Sequence, residues 1–347
     1  MAFVGRETEL NYLEQHFNAE DNRILVVYGQ KGVGKTALLK EFGQDKTCAY
    51  YMARPCSDRE QRYQWAGELR PEKDGENAYP EYGEIFGRLR QSGGAKISGR
   101  DASREGKLLL VIDEFHHIVK GNGNFFAELA EFVKGHAGPV LAILCSSAAG
   151  WVENHLVEKI GSGVLSISGF LKVRELPIQR MRELYPEYGE DDCVQLYAAL
   201  GGVPGLWRRT DTAKSAGDNL IDNLLSRYGA LHGEMADCLA GELREPAVYN
   251  TILAALAAGR TKLNDIYRHT GFSRAKISVY LKNLMEIDLV EKTGAGVYRI
   301  TKPHVRFYFC FIYPNQSLLE ELTPRQFYKE IVEDDFPGFV REAYRKS

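Results

Sequence analysis

The sequence Gly29-Gln30-Lys31-Gly32-Val33-Gly34-Lys35-Thr36 stands directly after the apolar run Arg23–Tyr28 and directly before Ala37-Leu38-Leu39-Lys40-Glu41-Phe42. The glycines let the backbone wrap around an anion with no Cβ in the way. The run before them suits a buried strand and the residues after them suit a helix start. In that setting the pattern means a phosphate-binding P-loop. The N–H groups of such a loop and of the helix N-terminus converge on a phosphate. The expected nucleotide contacts run through Gly29, Gln30, Lys31, Gly32, Val33, Gly34, Lys35, Thr36 and Ala37. Lys35 is expected on the β- and γ-phosphates of ATP, and Thr36 on Mg²⁺.

A second element follows downstream. Leu108–Ile112 is apolar throughout, as a strand covered on both faces should be, and it ends in Asp113-Glu114-Phe115. An acid pair at the tip of a buried strand, downstream of a P-loop, is the expected Walker B element. Asp113 is expected to support Mg²⁺ through water, and Glu114 to orient and deprotonate the attacking water. His116 and His117 lack the neighbouring ligands of a metal site, so solvent-exposed positions at a helix start are expected for them. Ser146 and Ser147 close a further apolar run, Pro139–Cys145. Serines there either sense the γ-phosphate or cap the next helix. Ser146 is placed with Glu114 and Lys35 as a catalytic candidate.

Composition narrows the rest. A chain of 347 residues implies two or three domains, and its 44% hydrophobic content is ordinary for globular proteins. A net charge of −3 supplies no global field toward nucleic acid or membrane. The six cysteines (48, 56, 145, 193, 238, 310) form no Cys-x-x-Cys pair, which argues against a metal knuckle or a disulfide framework. Cys145 and Cys310 look like buried free thiols. There is no signal-peptide pattern and no apolar stretch of membrane-spanning length, so a cytoplasmic protein without a membrane span is expected.

Strands alternate with helices through residue 177. Helices are expected at 6–18, 59–70, 81–91 and 123–134. Strands are expected at 23–28, 48–53, 108–112 and 139–145, with another near Val164–Ile167 and one more at 172–176. The order predicts an α/β fold: a parallel sheet with helices on both faces, as in P-loop NTPases. Pro71-Glu-Lys-Asp-Gly-Glu-Asn and Ser92–Arg100 are loop-like. The period then changes. Residues 178–244 read as a helical lid domain broken by Gly201-Gly202-Val203-Pro204. Residues 245–303 hold helices at 247–258, 262–269 and 273–286, then a hairpin at 289–292 and 297–301, the order of a winged helix-turn-helix. Residues 304–347 form a C-terminal tail, read as the start of a domain otherwise absent. Residues 247–301 carry eight Lys/Arg against four acids. Arg274, Lys276, Lys282 and Asn283 fall largely off the apolar stripe of the third helix, placed to meet phosphates or base edges.

With these elements in hand, the chain resembles the archaeal-type ATPases of the STAND class, which are related to AAA+ proteins. The resemblance rests on Phe3-Val4-Gly5-Arg6-Glu7, the P-loop, Asp113-Glu114-Phe115, Cys145-Ser146-Ser147, Gly201-Gly202-Val203-Pro204, Tyr298-Arg-Ile300 and Arg306-Phe-Tyr-Phe, in that order. It implies that Val4, Gly5 and Arg6 lie on the adenine side of ATP or ADP. It also implies that Pro204 lies against the nucleotide, and it offers His304 as a weaker contact to the β-phosphate of ADP. The resemblance implies a slow, Mg²⁺-dependent ATPase acting as a nucleotide-controlled conformational switch, with an unidentified protein partner or self-assembly as its output. The alternative is an ATP-dependent DNA-binding protein using the winged helix, like an AAA+ replication initiator. Two departures stand out. No arginine lies in Ser168–Lys172, which leaves Arg208, Arg209 or an arginine of another subunit to serve the transition state. The tail has no acid–acid–Lys set, so no nuclease activity is carried over.

Overall fold

The computed structural model describes residues 4–69, 79–136 without 137, 138–232 and 245–344 with two exceptions: residues 92–106 lie outside it, and at 90–91 only the backbone is described. The loops expected at 71–77 and 92–100, the end of the lid segment at 233–244, and Phe3 therefore fall outside the described residues. The described chain forms two compact units that meet in sequence at Arg174 and Glu175.

The first unit is a five-stranded sheet in the order β2-β3-β4-β1-β5. Its strands are β1 (Arg23–Tyr28), β2 (Cys48–Met52), β3 (Leu108–Asp113), β4 (Val140–Ser146) and β5 (Gly169–Lys172), and every pairing is parallel. Side chains alternate along a strand, so the central strands feed two cores. Leu25, Val27, Leu109, Val111, Leu141 and Ile143 face a core shared with Leu13 of α1 (Glu7–Phe17) and with Leu38, Leu39 and Phe42 of α2 (Lys35–Gly43). Ile24, Val26, Leu110, Ile112, Ala142 and Leu144 face the other core. There they meet Trp65 of α3 (Asp58–Leu69), Phe86 of α4 (Tyr82–Gln91) and Leu129 of α6 (Phe125–Gly135). All six residues of β3 are buried. Each buried aliphatic side chain there contributes about 1.5–3 kcal/mol, and that burial makes the strand ends a rigid platform.

Two expectations at the sheet edge are corrected. Val164–Ile167 is not a strand: Gly161–Ser166 forms a 3₁₀ turn, with Leu165 86% exposed. A Cβ on Gly163 would come within 2.8 Å of the Phe126 ring, so the glycine lets this turn lie against α6. The edge strand begins later, after Ser168 N donates to Ile24 O at 2.7 Å, and it ends at Lys172, so no strand covers 172–176. The helix start expected at His116 and His117 is the short α5 (His116–Gly121), which follows β3 after Glu114 and Phe115.

The second unit is helical with a small antiparallel hairpin, β6 (Val290–Thr293) and β7 (Val297–Ile300). Helices Pro246–Ala257, Leu263–Thr270 and Arg274–Glu286 precede the hairpin, the expected winged helix-turn-helix order. One hydrophobic core runs from Leu196 and Trp207 through Ile252, Ile277 and Leu281 to Phe307, Phe327 and Phe339. The segments read in the sequence as lid, winged helix and tail thus contribute to a shared core. Cys145 is buried as expected, while Cys310 is only half-buried.

The Gly201-Gly202 pair has a local structural reason. Gly201 ends helix Glu190–Leu200 in the left-handed region, at φ 69°. A Cβ on Gly202 would lie 1.8 Å from the Leu176 carbonyl oxygen, and the two residues pair by Leu176 N donating to Gly202 O at 2.8 Å. Glu175 accepts from Gly202 N at 3.0 Å, and the buried Trp207 indole donates to Gly201 O at 2.8 Å. Pro204 then opens the helix Pro204–Trp207, where its missing N–H costs nothing. Gly202→Ala forces two backbones apart. We expect it to destabilise the second unit by about 2–4 kcal/mol, read as a lowered unfolding midpoint by circular dichroism. A midpoint equal to wild type would contradict the packing described.

Candidate nucleotide site at the strand ends

The P-loop joins β1 to α2 at the C-terminal edge of the sheet, where ligands of open parallel sheets gather. Gly29 is required by contact: a Cβ there would sit 2.2 Å from the Val173 carbonyl oxygen. Its N–H donates to Ser146 O at 3.2 Å. Gly34 caps α2 from the left-handed region, φ 105°, which a side chain would strain. Lys35 is 5% exposed, and its Nζ donates to Gly29 O at 2.7 Å and Gln30 O at 3.0 Å. Lys31 and Gly32 lie exposed at the tip, while Val33 is buried beneath the loop.

Asp113, 1% exposed at the end of β3, gathers three donors. Thr36 Oγ1 donates to its Oδ2 at 3.0 Å, Tyr50 Oη donates to the same oxygen at 2.6 Å, and the Glu114 N–H donates to Oδ1 at 2.9 Å. Residues expected to act together, Thr36 and Asp113, are thus in direct contact. Tyr50 was not foreseen. Burial, and then the neighbouring carboxylate, push its phenol pKa far up, so it serves only as a donor.

Glu114 has φ 54°, a left-handed conformation uncommon for a residue with a side chain. Ser147 N and Ser147 Oγ both donate to Glu114 Oε2 at 2.9 Å. His116 Nδ1 lies 3.3 Å from the same oxygen. The expectation that His116 is solvent-exposed is corrected: it is 5% exposed, and burial, then the neighbouring His117 and Lys120, hold its pKa down at about 3. Ser146 is fully buried. Its Oγ accepts from Ala148 N at 3.1 Å and lies 2.9 Å from His116 Nδ1. Ser146, the serine placed with the catalytic candidates, therefore meets His116, while Ser147 meets Glu114. No spacing rule in the sequence points to Tyr50, His116 or Ser147 in these roles. Each contact spans residues far apart in the chain or depends on a turn conformation.

Gly5, with φ 76°, turns the chain from Val4 into α1. Arg6 is 5% exposed and its guanidinium donates to Val33 O at 2.9 Å and Arg174 O at 2.7 Å, and pairs with Glu9 at 2.7 Å. Its charge supports the underside of the P-loop. In the second unit, His304 is half-buried with its Nδ1 out of reach of solvent, and burial holds its pKa at about 3. On the helix Arg274–Glu286, Arg274 donates to Asn264 at 2.8 Å and lies over the Tyr267 ring. Lys276 lies over Phe272 and Tyr280, and Lys282 is exposed. Asn283 departs from expectation: its amide donates to Tyr249 Oη at 2.7 Å, on the packed side, so it is not part of the outward cationic face.

A parallel sheet carrying this loop on β1, with an acid-tipped strand, β3, on the far side of β4, defines a P-loop ATPase fold. The model of the family described as "ATPase domain predominantly from Archaea" matches residues 3–207, over half the chain, and the chain belongs to that family. Residues 250–292 match the arsR family of bacterial regulatory proteins. An uncharacterized protein of Methanocaldococcus jannaschii is 26% identical over 340 residues, covering 92% of this chain and 71% of its own. The Walker-type ATPase of Pyrococcus abyssi superposes with a TM-score of 0.67 at 18% identity, covering 88% of this chain and 96% of that one. The Aeropyrum pernix ORC2 protein, in ADPNP and ADP complexes, gives a TM-score of 0.57 at 15% identity, covering 92% and 95%. These structural likenesses establish the fold. Among the described residues no helix is long and apolar enough to cross a membrane.

Two histidines, the buried His116 and the half-buried His304, give a pH dependence. Their folded pKa values, each about 3, lie below the value of about 6.5 expected in the unfolded chain. Above that unfolded value both states are neutral and the histidines contribute nothing. Below it the unfolded state binds protons that the folded state refuses, so stability falls as pH drops. The unfolding midpoint should fall between about pH 6.5 and 5, above the carboxylate range, and the double variant His116→Asn, His304→Asn should flatten that slope. A slope unchanged in the double variant would contradict burial of neutral imidazoles.

Proposed function

We propose that the chain binds ATP and hydrolyses it slowly with Mg²⁺, and that the bound nucleotide sets its conformation, as in STAND-type switches. The observation that carries this reading is the joining of P-loop and acid pair: Thr36 Oγ1 on Asp113 Oδ2 at 3.0 Å, with Glu114 next in the chain. A hydroxyl and a carboxylate side by side are hard oxygen donors, the set that suits Mg²⁺. Thr36 would hold the ion and Asp113 would hold its water shell, and the ion would supply neutralisation of phosphate charge.

In this reading residues 29–37 wrap the phosphates through backbone N–H groups. Lys35 has three donors and uses two on loop carbonyls. Shifting them to the phosphates places its charge there without leaving the loop. Glu114 accepts the proton of the attacking water. Val4, Gly5 and Arg6 belong to the adenine side, with Arg6 acting through the Val33 carbonyl. Pro204 reads the nucleotide from the second unit. Residues 1–177 form the nucleotide domain, 178–244 the lid, 245–303 the winged helix and 304–347 the tail.

A second reading, DNA binding by the winged helix, is favoured by the arsR-family match at 250–292 and by the outward cations Arg274, Lys276 and Lys282. If phosphates are gripped there, affinity for duplex DNA falls steeply with salt, and Lys282→Ala lowers the slope by about one unit. No measurable binding at low salt would remove this reading.

The main reading makes three further predictions. Lys35→Ala abolishes tight ATP binding by calorimetry, and unchanged affinity would sink the site. Glu114→Gln keeps ATP binding and loses on the order of 10²–10⁴ in turnover. Equal turnover in the two proteins would rule Glu114 out as the base. Hydrogen exchange in residues 175–344 changes between ADP-bound and nucleotide-free protein. Identical protection would leave an ATPase without a switch.

A further inference from the structure

We propose that Ser147 and His116 are positioning residues for hydrolysis, anchoring Glu114 by Oε2 so that Oε1 is aimed at the attacking water. The inference rests on the ATPase reading above. It gives Ser147 a role other than γ-phosphate sensing or helix capping, and it gives His116 a role that none of the motifs assigns.

Two donors meet one oxygen, and an imidazole nitrogen stands beside it. Ser147 N and Ser147 Oγ each donate to Glu114 Oε2 at 2.9 Å, and His116 Nδ1 stands 3.3 Å away. A neutral imidazole carries one proton. A bare Nδ1 lone pair facing a carboxylate oxygen would be repelled, which favours the tautomer protonated on Nδ1, with Ser146 Oγ at 2.9 Å as its acceptor and Glu114 Oε2 beside it at 3.3 Å. The imidazole is held in turn by Ser146 Oγ at 2.9 Å, by the His117 ring at 4.1 Å and by the Trp151 ring at 6.0 Å. Oε1 of Glu114 accepts no hydrogen bond among the described residues, and the side chain keeps 24% exposure. A long acidic side chain at a strand end would otherwise sample several rotamers. Here one oxygen is tied and the other is open, the arrangement that a general base with an orienting partner requires.

The backbone agrees. Glu114 occupies the left-handed region at φ 54°, and the next residue, Phe115, donates its N–H to Cys145 O at 3.1 Å. The turn after β3 is thereby tied to the end of β4, and Ser147 comes two residues after Cys145. The strain is stored where the two strands present the base and its anchor together, as strained backbone at functional sites does.

The test uses the full chain with Mg²⁺ and ATP. Ser147→Ala and His116→Leu should each lower kcat about 10-fold, as loss of one hydrogen bond to a charged group does, with ATP affinity by calorimetry within about twofold of wild type. Ser147→Thr and His116→Asn, which keep a donor, should recover most of the loss. In a Glu114→Gln background Ser147→Ala should lower the residual rate no further, because residues acting through one group are not additive. An equal fold-loss in both backgrounds, or a kcat unchanged by Ser147→Ala, would overturn this assignment and leave the ATPase reading standing. Parallel loss of ATP binding would show a purely structural role and overturn it as well. Absence of any hydrolysis by wild type would overturn the ATPase reading and this inference with it.

Discussion

The carboxylate of Asp113 is buried at the end of β3, and three elements converge on it: α2 through Thr36, β2 through Tyr50, and the chain's own next turn through Glu114 N–H. A buried carboxylate must be matched by donors, and each hydrogen bond to a charged group contributes about 1.5–3 kcal/mol. The match is therefore a strong constraint on geometry. It fixes the first turn of α2 against β3, which places the P-loop, and it fixes the turn that presents Glu114. Asp113 holds its own position because β3 is buried along its whole length between two cores.

Around that centre the backbones approach closely. Gly29 passes within van der Waals reach of Val173, and Arg6 holds the carbonyls of Val33 and Arg174 in one guanidinium. The underside of the P-loop and the last residues of the first unit are thus tied to the same side chain. Arg174 is followed at once by Glu175, whose carboxylate accepts from the Gly202 N–H in the Gly-Gly turn. The peptide that joins the two units is thus hydrogen-bonded on both sides, by Arg6 at Arg174 and by Gly202 at Glu175.

Much of this was legible in the sequence, for identifiable reasons. The P-loop and Asp113-Glu114 are local motifs attached to strands that are apolar at every position. The winged helix declares itself through helical periodicity and a glycine-containing turn, so its expected and observed bounds differ by a residue or so. The edge strand was misplaced because apolarity misleads there: Val164 and Leu165 belong to a turn, while the true strand, Gly169–Lys172, is only half covered and short. His116 was read as exposed because a His-His pair at a helix start has no sequence mark of burial. Tyr50 and Ser147 could not be paired with Asp113 and Glu114 before strand order was known. Tyr50 reaches Asp113 only because β2 lies beside β3, with Met52 opposite Asp113.

The central claim is that the strand-end constellation is an ATP site, with Lys35, Thr36 and Asp113 gathered on the phosphates and their metal. The most direct measurement is a crystal structure of the chain grown with Mg²⁺ and a non-hydrolysable ATP analogue. The account predicts phosphates within the loop of residues 29–36, Lys35 Nζ moved from the Gly29 and Gln30 carbonyls onto phosphate oxygens, and Mg²⁺ beside Thr36 Oγ1 with Asp113 within its water shell. A nucleotide bound elsewhere, or Lys35 still on its two loop carbonyls with phosphate absent from the loop, would contradict it.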